Sequence, residues 1–188
     1  MKKYLILFVF ALVTTVSAQA QVGIGLKVGA NYSNITGDDA PDVYERIIGG
    51  HAGLTANFPI SSDNFFSVQP ELLFSMKGAK NDATDADLRL YYIDVPVLAR
   101  FNAAPLFFEF GPQLSINVGD NVDFDGGSGP DYRRTGLGYA AGLGIATPLG
   151  VSLGLRYNGD ISKLNDEGDA KVYNDVFMLS LGYTFTTR

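Results

Sequence analysis

The sequence predicts an all-β fold: an eight-stranded antiparallel up-and-down transmembrane β-barrel, preceded by a cleaved signal peptide. Three observations predict it. Apolar and polar residues alternate in eight separate stretches, with the two-residue period of a strand whose faces meet different surroundings. The links between these stretches are short and long by turns, as in a meander of hairpins. The apolar face is too large to be enclosed, because eight strands leave an interior only just wide enough for the barrel's own side chains.

A chain of 188 residues, 46% of them hydrophobic, suits one domain with a substantial apolar surface. Its 22 glycines, 13 Phe and 10 Tyr favour strands and turns over helices. The absence of cysteine excludes disulfides and thiolate metal sites.

The opening MKKYLILFVFALVTTVSAQA has Lys2 and Lys3, an apolar run from Tyr4 to Val16, and small residues at Ala18 and Ala20. This is the pattern of a signal peptide cleaved before Gln21, so residues 1–20 are assigned to the signal and 21–188 to the barrel. Losing Lys2 and Lys3 leaves 12 basic against 20 acidic side chains, a net charge of −8. That balance disfavours nucleic acid or an anionic surface as partner.

The predicted strands run from Val22 to Ile35, Arg46 to Phe58, Asn64 to Lys77, Leu88 to Asn102, Leu106 to Gly119, Gly136 to Thr147, Val151 to Lys163 and Asp175 to Thr186. Short links, PISSD, NAAP and TPLG, alternate with the long acidic links TGDDAPDVYE, GAKNDATDAD, DNVDFDGGSGPDYRR and NDEGDAKVYN. An even number of strands joined this way closes without leaving an edge. Pro70, Pro96 and Pro112 fall inside predicted strands, where each removes a ladder hydrogen bond, and bulges are expected there.

One face of every strand is apolar, as in Ile24, Leu26, Val28 of the first and Phe177, Leu179, Leu181 of the last. The other face carries glycines and a few long polar residues, with Lys27, Arg100 and Arg156 set against Glu71, Asp94 and Glu109. Matched charges suit a dry interior, and glycines make room for them. A charge on a lipid-facing strand costs about 2–4 kcal/mol at the bilayer midplane, which fits an apolar face without charges. The apolar face is therefore expected to meet lipid, with Tyr32, Tyr91, Tyr157 and Tyr183 near strand ends as an interfacial girdle.

The segments GLKVGANYSNI, FSVQPELLFSMKGA, YYIDVPVLARF, FFEFGPQLS, GLGYAAGLGIATPLGVSLGLRYNGDIS and FMLSLGYTF resemble the outer-membrane β-barrel family common in Bacteroidetes, which includes PorT-like proteins of gingipain secretion. The resemblance implies an integral outer-membrane barrel of a Gram-negative bacterium with periplasmic termini. Phe177 to Phe185 resembles the C-terminal signal read by the barrel-assembly machinery, which would make that machinery a partner during biogenesis; the chain departs from the pattern by ending in Thr186-Thr187-Arg188.

Chemistry is sparse. His51 is the sole histidine, its phase points inward, and no serine is placed beside it by spacing, so no catalytic residue is assigned. Asn121 to Gly127 resembles the first half of an EF-hand loop, but position twelve would be Tyr132 where a glutamate is needed. A solvated acidic loop is the preferred reading, with Asp123, Asp125 and Asp131 as the residues to test for a cation. No cofactor is expected. Lys27, Glu71, Asp94, Arg100, Glu109 and Arg156 are read as a structural charge network that plugs the lumen. The expected function is non-enzymatic: an envelope or surface-binding role carried by the long acidic loops, with lipid and an envelope protein as partners. The alternative is an accessory role in a secretion or envelope-assembly machine; a soluble lipocalin-like carrier and a lipid A-modifying enzyme are less favoured.

Overall fold

The computed structural model describes residues 22–37, 44–81, 86–120, 134–162 and 173–185. Residues 1–20, read as a signal peptide, and the loop acids Asp123, Asp125 and Asp131 lie outside the described residues. The strands are β1 (Gly23–Thr36), β2 (Tyr44–Pro59), β3 (Phe66–Asn81), β4 (Ala86–Ala103), β5 (Leu106–Asp120), β6 (Thr135–Ala146), β7 (Val151–Asp160) and β8 (Tyr173–Phe185). Each pairs antiparallel with the next, and β8 returns to β1 to close the barrel. The largest departure from the predicted boundaries is in β3. It continues through Gly78–Asn81, read as part of a link, because these residues pair with Ala86–Arg89 of β4 in a hairpin that outlasts the apolar alternation.

The two faces separate as their composition requires. Leu179 and Leu181 are each 53% exposed and Phe108 49%, whereas Met178 is 0% and Glu109 5%. In water such a molecule would present its apolar side chains to solvent and bury its charges; in lipid the same arrangement satisfies both sets. Closure leaves no unpaired strand edge in hydrocarbon.

Aromatic residues mark the rims. At the long-loop end, Tyr139, Tyr157 and Phe177 meet at tilted angles in sequence across β6, β7 and β8, with centroids 6.0 and 5.1 Å apart. At the short-turn end, Tyr183 meets Phe185 edge-on. Arg46 follows the outward phase of Ile48 and sits between the Tyr32 and Phe177 rings, 5.4 and 5.3 Å from their centroids, with Asp175 2.7 Å away. An ion pair thus lies on the outer face at the long-loop rim, where a headgroup layer, rather than hydrocarbon, surrounds it.

The bulges expected at the prolines are absent, and this corrects the sequence reading. The β3–β4 register is the same on either side of Pro70 and Pro96, and the β5–β6 register is continuous through Pro112. Each backbone N–H in a strand points to one neighbour only, so a proline removes bonds on one side while the ladder on the other holds the register. The register shifts instead between Arg46 and His51 in β2 and at Tyr91/Tyr92 in β4 opposite β5. In β2 the irregularity coincides with Gly49, where the approach of β3 leaves no space: a Cβ there would overlap the Met76 carbonyl.

The short β6–β7 turn needs its glycine. Gly150 has φ +86°, donates its N–H to the Thr147 carbonyl at 3.0 Å and accepts from Thr184 N–H at 2.9 Å.

Candidate functional site in the barrel interior

The interior polar residues form two groups. In the half nearer the short turns, Arg156 from β7 is the centre. It donates to Glu71 twice, Nη1 to Oε2 at 2.8 Å and Nη2 to Oε1 at 3.0 Å, and to Glu109 through both Nε, at 2.8 Å, and Nη2. Lys27 Nζ donates to Glu71 Oε1 at 2.6 Å, and Gln69 Nε2 to the same oxygen at 2.7 Å. Glu71 therefore accepts from three side chains on three other positions and is only 3% exposed. Such convergence is what makes a buried carboxylate tolerable.

Register explains how Glu109 and Arg156 meet although they lie on non-adjacent strands. Gly142 of β6 pairs with Glu109 on one side and with Arg156 on the other. A Cβ there would stand 3.1 Å from Arg156 Cβ, so the glycine keeps the bridge path clear. The same device recurs at Gly29, which pairs with His51 of β2 and Ser180 of β8. A Cβ on Gly29 would come within 2.6 Å of the His51 ring.

Over Gly29 the second group begins. Asn31 Nδ2 donates to the Gly50 and Met76 carbonyls at 3.1 and 2.9 Å and to Ser75 Oγ at 3.0 Å, which turns its Oδ1 towards His51 Nδ1 at 2.7 Å. The acceptor Oδ1 requires the proton on Nδ1, so Nε2 accepts from the Ser180 hydroxyl at 2.9 Å. Further towards the long loops, Lys77 Nζ donates to Asp94 Oδ1 at 2.8 Å and lies 4.7 Å from the Tyr92 ring centroid; Ser115 Oγ donates to the same Asp94 oxygen at 2.6 Å. Between the groups is a small apolar cluster of Leu73, Val176 and Met178.

The structure brings five of the six predicted network residues together and places the sixth elsewhere. Lys27, Glu71, Arg100, Glu109 and Arg156 share one cluster, while Asp94 pairs with Lys77, a residue the sequence reading did not place in the network. The six do not balance as one set: three cations face two carboxylates in the short-turn half. Lys77 has the same parity in β3 as Glu71 and Gln69, and that signal was available; taking Lys77 as the strand's last residue concealed it. Phe107, whose ring lies against Gly144 and Gly154, was also missed.

Ser180, His51 and Asn31 have the order of a nucleophile, base and orienting group. The cavity beside Ser180 is about 10 Å³, too small for an acyl group or a tetrahedral carbon, and the three residues tie strands β1, β2 and β8 together. Among the described residues, no group of three metal-ligating side chains converges.

The family model for the outer membrane protein beta-barrel domain matches residues 6–185. The chain belongs to this family. It is an integral outer-membrane protein of the Gram-negative type. Among solved structures, this family member is similar to Neisserial surface protein A (TM-score 0.58, 20% identity, covering 86% of this chain and 97% of that one). It is also similar to Ail, the attachment invasion locus protein of Yersinia pestis, solved in complex with the heparin analogue sucrose octasulfate (TM-score 0.56, 19% identity, covering 88% and 99%). At these identities the likeness is one of fold. No curated protein sequence matches the chain.

Proposed function

We propose that this outer-membrane barrel is a non-enzymatic surface protein whose interior is sealed by its own side chains and whose long acidic links face outward to supply binding. The single observation that carries this reading is the division of charge. Most interior charges are drawn into ion pairs with one another, whereas the four long links together hold fourteen of the 20 acidic residues against four basic ones. A surface of that sign attracts cationic partners and repels polyanions. This separates it from the sulfated sugar bound by Ail.

The PorT-like alternative, an accessory part of a secretion or envelope-assembly machine, is tied to particular residues. Glu71 lies in QPELL, Asp94 in YIDVP and Glu109 in FEFGP, so the acidic positions of the motifs carrying that resemblance point into the lumen. The likeness is one of interior construction, and it supports the shared barrel more than a shared partner.

Because the chain has no cysteine, single reporters are clean. Ser128→Cys in the third long link is expected to react with a membrane-impermeant maleimide on intact cells, and Ser62→Cys in the β2–β3 turn only after the outer membrane is permeabilised. The reverse pattern would contradict the outward loops. Purified barrel in planar bilayers is expected to show no steady ion conductance; a stable open level would contradict the sealed interior.

A further inference from the structure

The short-turn mouth of the barrel holds a polar cavity of about 220 Å³ whose walls include Asn57, Gln69, Arg100, Asn102, Ser152 and Thr184. Among the described residues, no carboxylate lines it. We propose that this mouth is a binding site for a small oxyanion, a phosphate or a carboxylate, with Arg100 supplying the charge.

Three features point the same way. The first is a surplus. Among the described residues, the cluster beneath the cavity has Lys27, Arg100 and Arg156 but only Glu71 and Glu109, and Arg156 is held by both carboxylates while Lys27 is held by Glu71. Arg100 comes last in this order: its Nη1 is 3.8 Å from Glu109 Oε2, too far for a hydrogen bond, and that oxygen has no hydrogen-bond partner among the described residues.

The second feature is orientation. The Arg100 guanidinium lies over the Phe107 ring at 3.6 Å, while Nε donates to Asn102 Oδ1 at 3.0 Å and Nη1 to Gln69 Oε1 at 3.2 Å. Stacking and two neutral acceptors fix the plane without neutralising its charge. A planar fork held this way, with its Nε–H already donated to Asn102, meets an oxyanion through its Nη nitrogens.

The third is the supply of further donors. Ser152 and Thr184, each with a hydroxyl that can donate, line the same cavity. Asp63, on the β2–β3 turn at this end, is exposed and accepts from the Phe65 N–H of its own turn at 3.0 Å. The cavity is large enough for a phosphate or a short carboxylic acid, and the packed cluster below gives the ligand no way through.

The test uses the full barrel folded in detergent micelles, with the Arg Nε signals followed by ¹⁵N NMR during titration with inorganic phosphate, acetate or chloride at constant ionic strength. A saturable shift with phosphate or acetate, and none with chloride, is expected; which of the two binds more tightly identifies the ligand chemistry. Arg100→Gln should weaken binding at least tenfold, and Lys77→Met, in the other half of the lumen, should leave it unchanged. No saturable shift, an equal response to chloride, or undiminished affinity in Arg100→Gln would overturn the proposal. Should Arg100→Gln fail to give the heat-shifted band of a folded barrel, Ser152→Ala with Thr184→Val decides. That pair leaves the charge cluster intact and is expected to weaken binding about threefold or more, and an unchanged affinity would overturn the site.

Discussion

The two halves of the lumen solve the problem of buried charge differently. Towards the long loops, Lys77 and Asp94 form a pair of one cation and one carboxylate, each with neutral support from Tyr92 and Ser115. Towards the short turns, three cations share two carboxylates, and the bonds converge on Glu71 and Arg156. In a pair, removing either member strands one charge. In the shared cluster the cost depends on which member is removed, because what matters is how many partners are left unmatched in a dry interior.

That difference can be tested by ranking substitutions. Glu71→Gln is expected to have the largest effect, about 5 kcal/mol, since it leaves both Lys27 and part of Arg156 uncompensated. Lys77→Met strands a single carboxylate and should cost about 3 kcal/mol, with Ser115 still donating to Asp94. Urea unfolding of both variants in lipid vesicles measures the order. Equal losses would show that the shared cluster behaves as independent pairs.

A third substitution probes the spacing device rather than the charges. Gly29→Val places a side chain against the Leu179 backbone carbonyl and the His51 ring and is expected to destabilise by about 3 kcal/mol, with the His51 proton signal shifting as its contact with Ser180 opens. Arg100→Gln should have the smallest effect, about 1 kcal/mol, because its nearest carboxylate is 3.8 Å away and glutamine keeps a polar group near Gln69 and Asn102. A loss as large as that of Glu71→Gln would mean that Arg100 is a full member of the cluster, and the surplus charge assigned to it would not exist.

The strand number, order and outward face were legible because hydrocarbon is a selective surrounding. It excludes charge from Leu26, Leu179 and their neighbours, and the alternation records that exclusion. The interior is less selective, since any group with a partner is admitted. Leu73, Leu98 and Phe107 point inward beside outward Leu72, Val97 and Phe108, and where both faces are apolar the period says nothing. The pairing of charges was not legible either. Asp94 finds Lys77 on the neighbouring strand, and Arg156 reaches Glu109 across a glycine, through registers that composition does not contain. The β2 shift coincides with close backbone approach at Gly49, and neither shift falls at the prolines that drew attention in the sequence.

The central claim is that lipid wets the outer skin while the ionised groups face one another within. A nitroxide scan along β8, one cysteine at a time from Val176 to Tyr183, in barrels reconstituted into bilayers, tests it most directly. Accessibility to oxygen dissolved in lipid should rise at Phe177, Leu179, Leu181 and Tyr183 and fall at Val176, Met178, Ser180 and Gly182. Maxima at Val176, Met178 and Ser180, or accessibility to an aqueous nickel chelate at Leu179 in mid-strand, would contradict it.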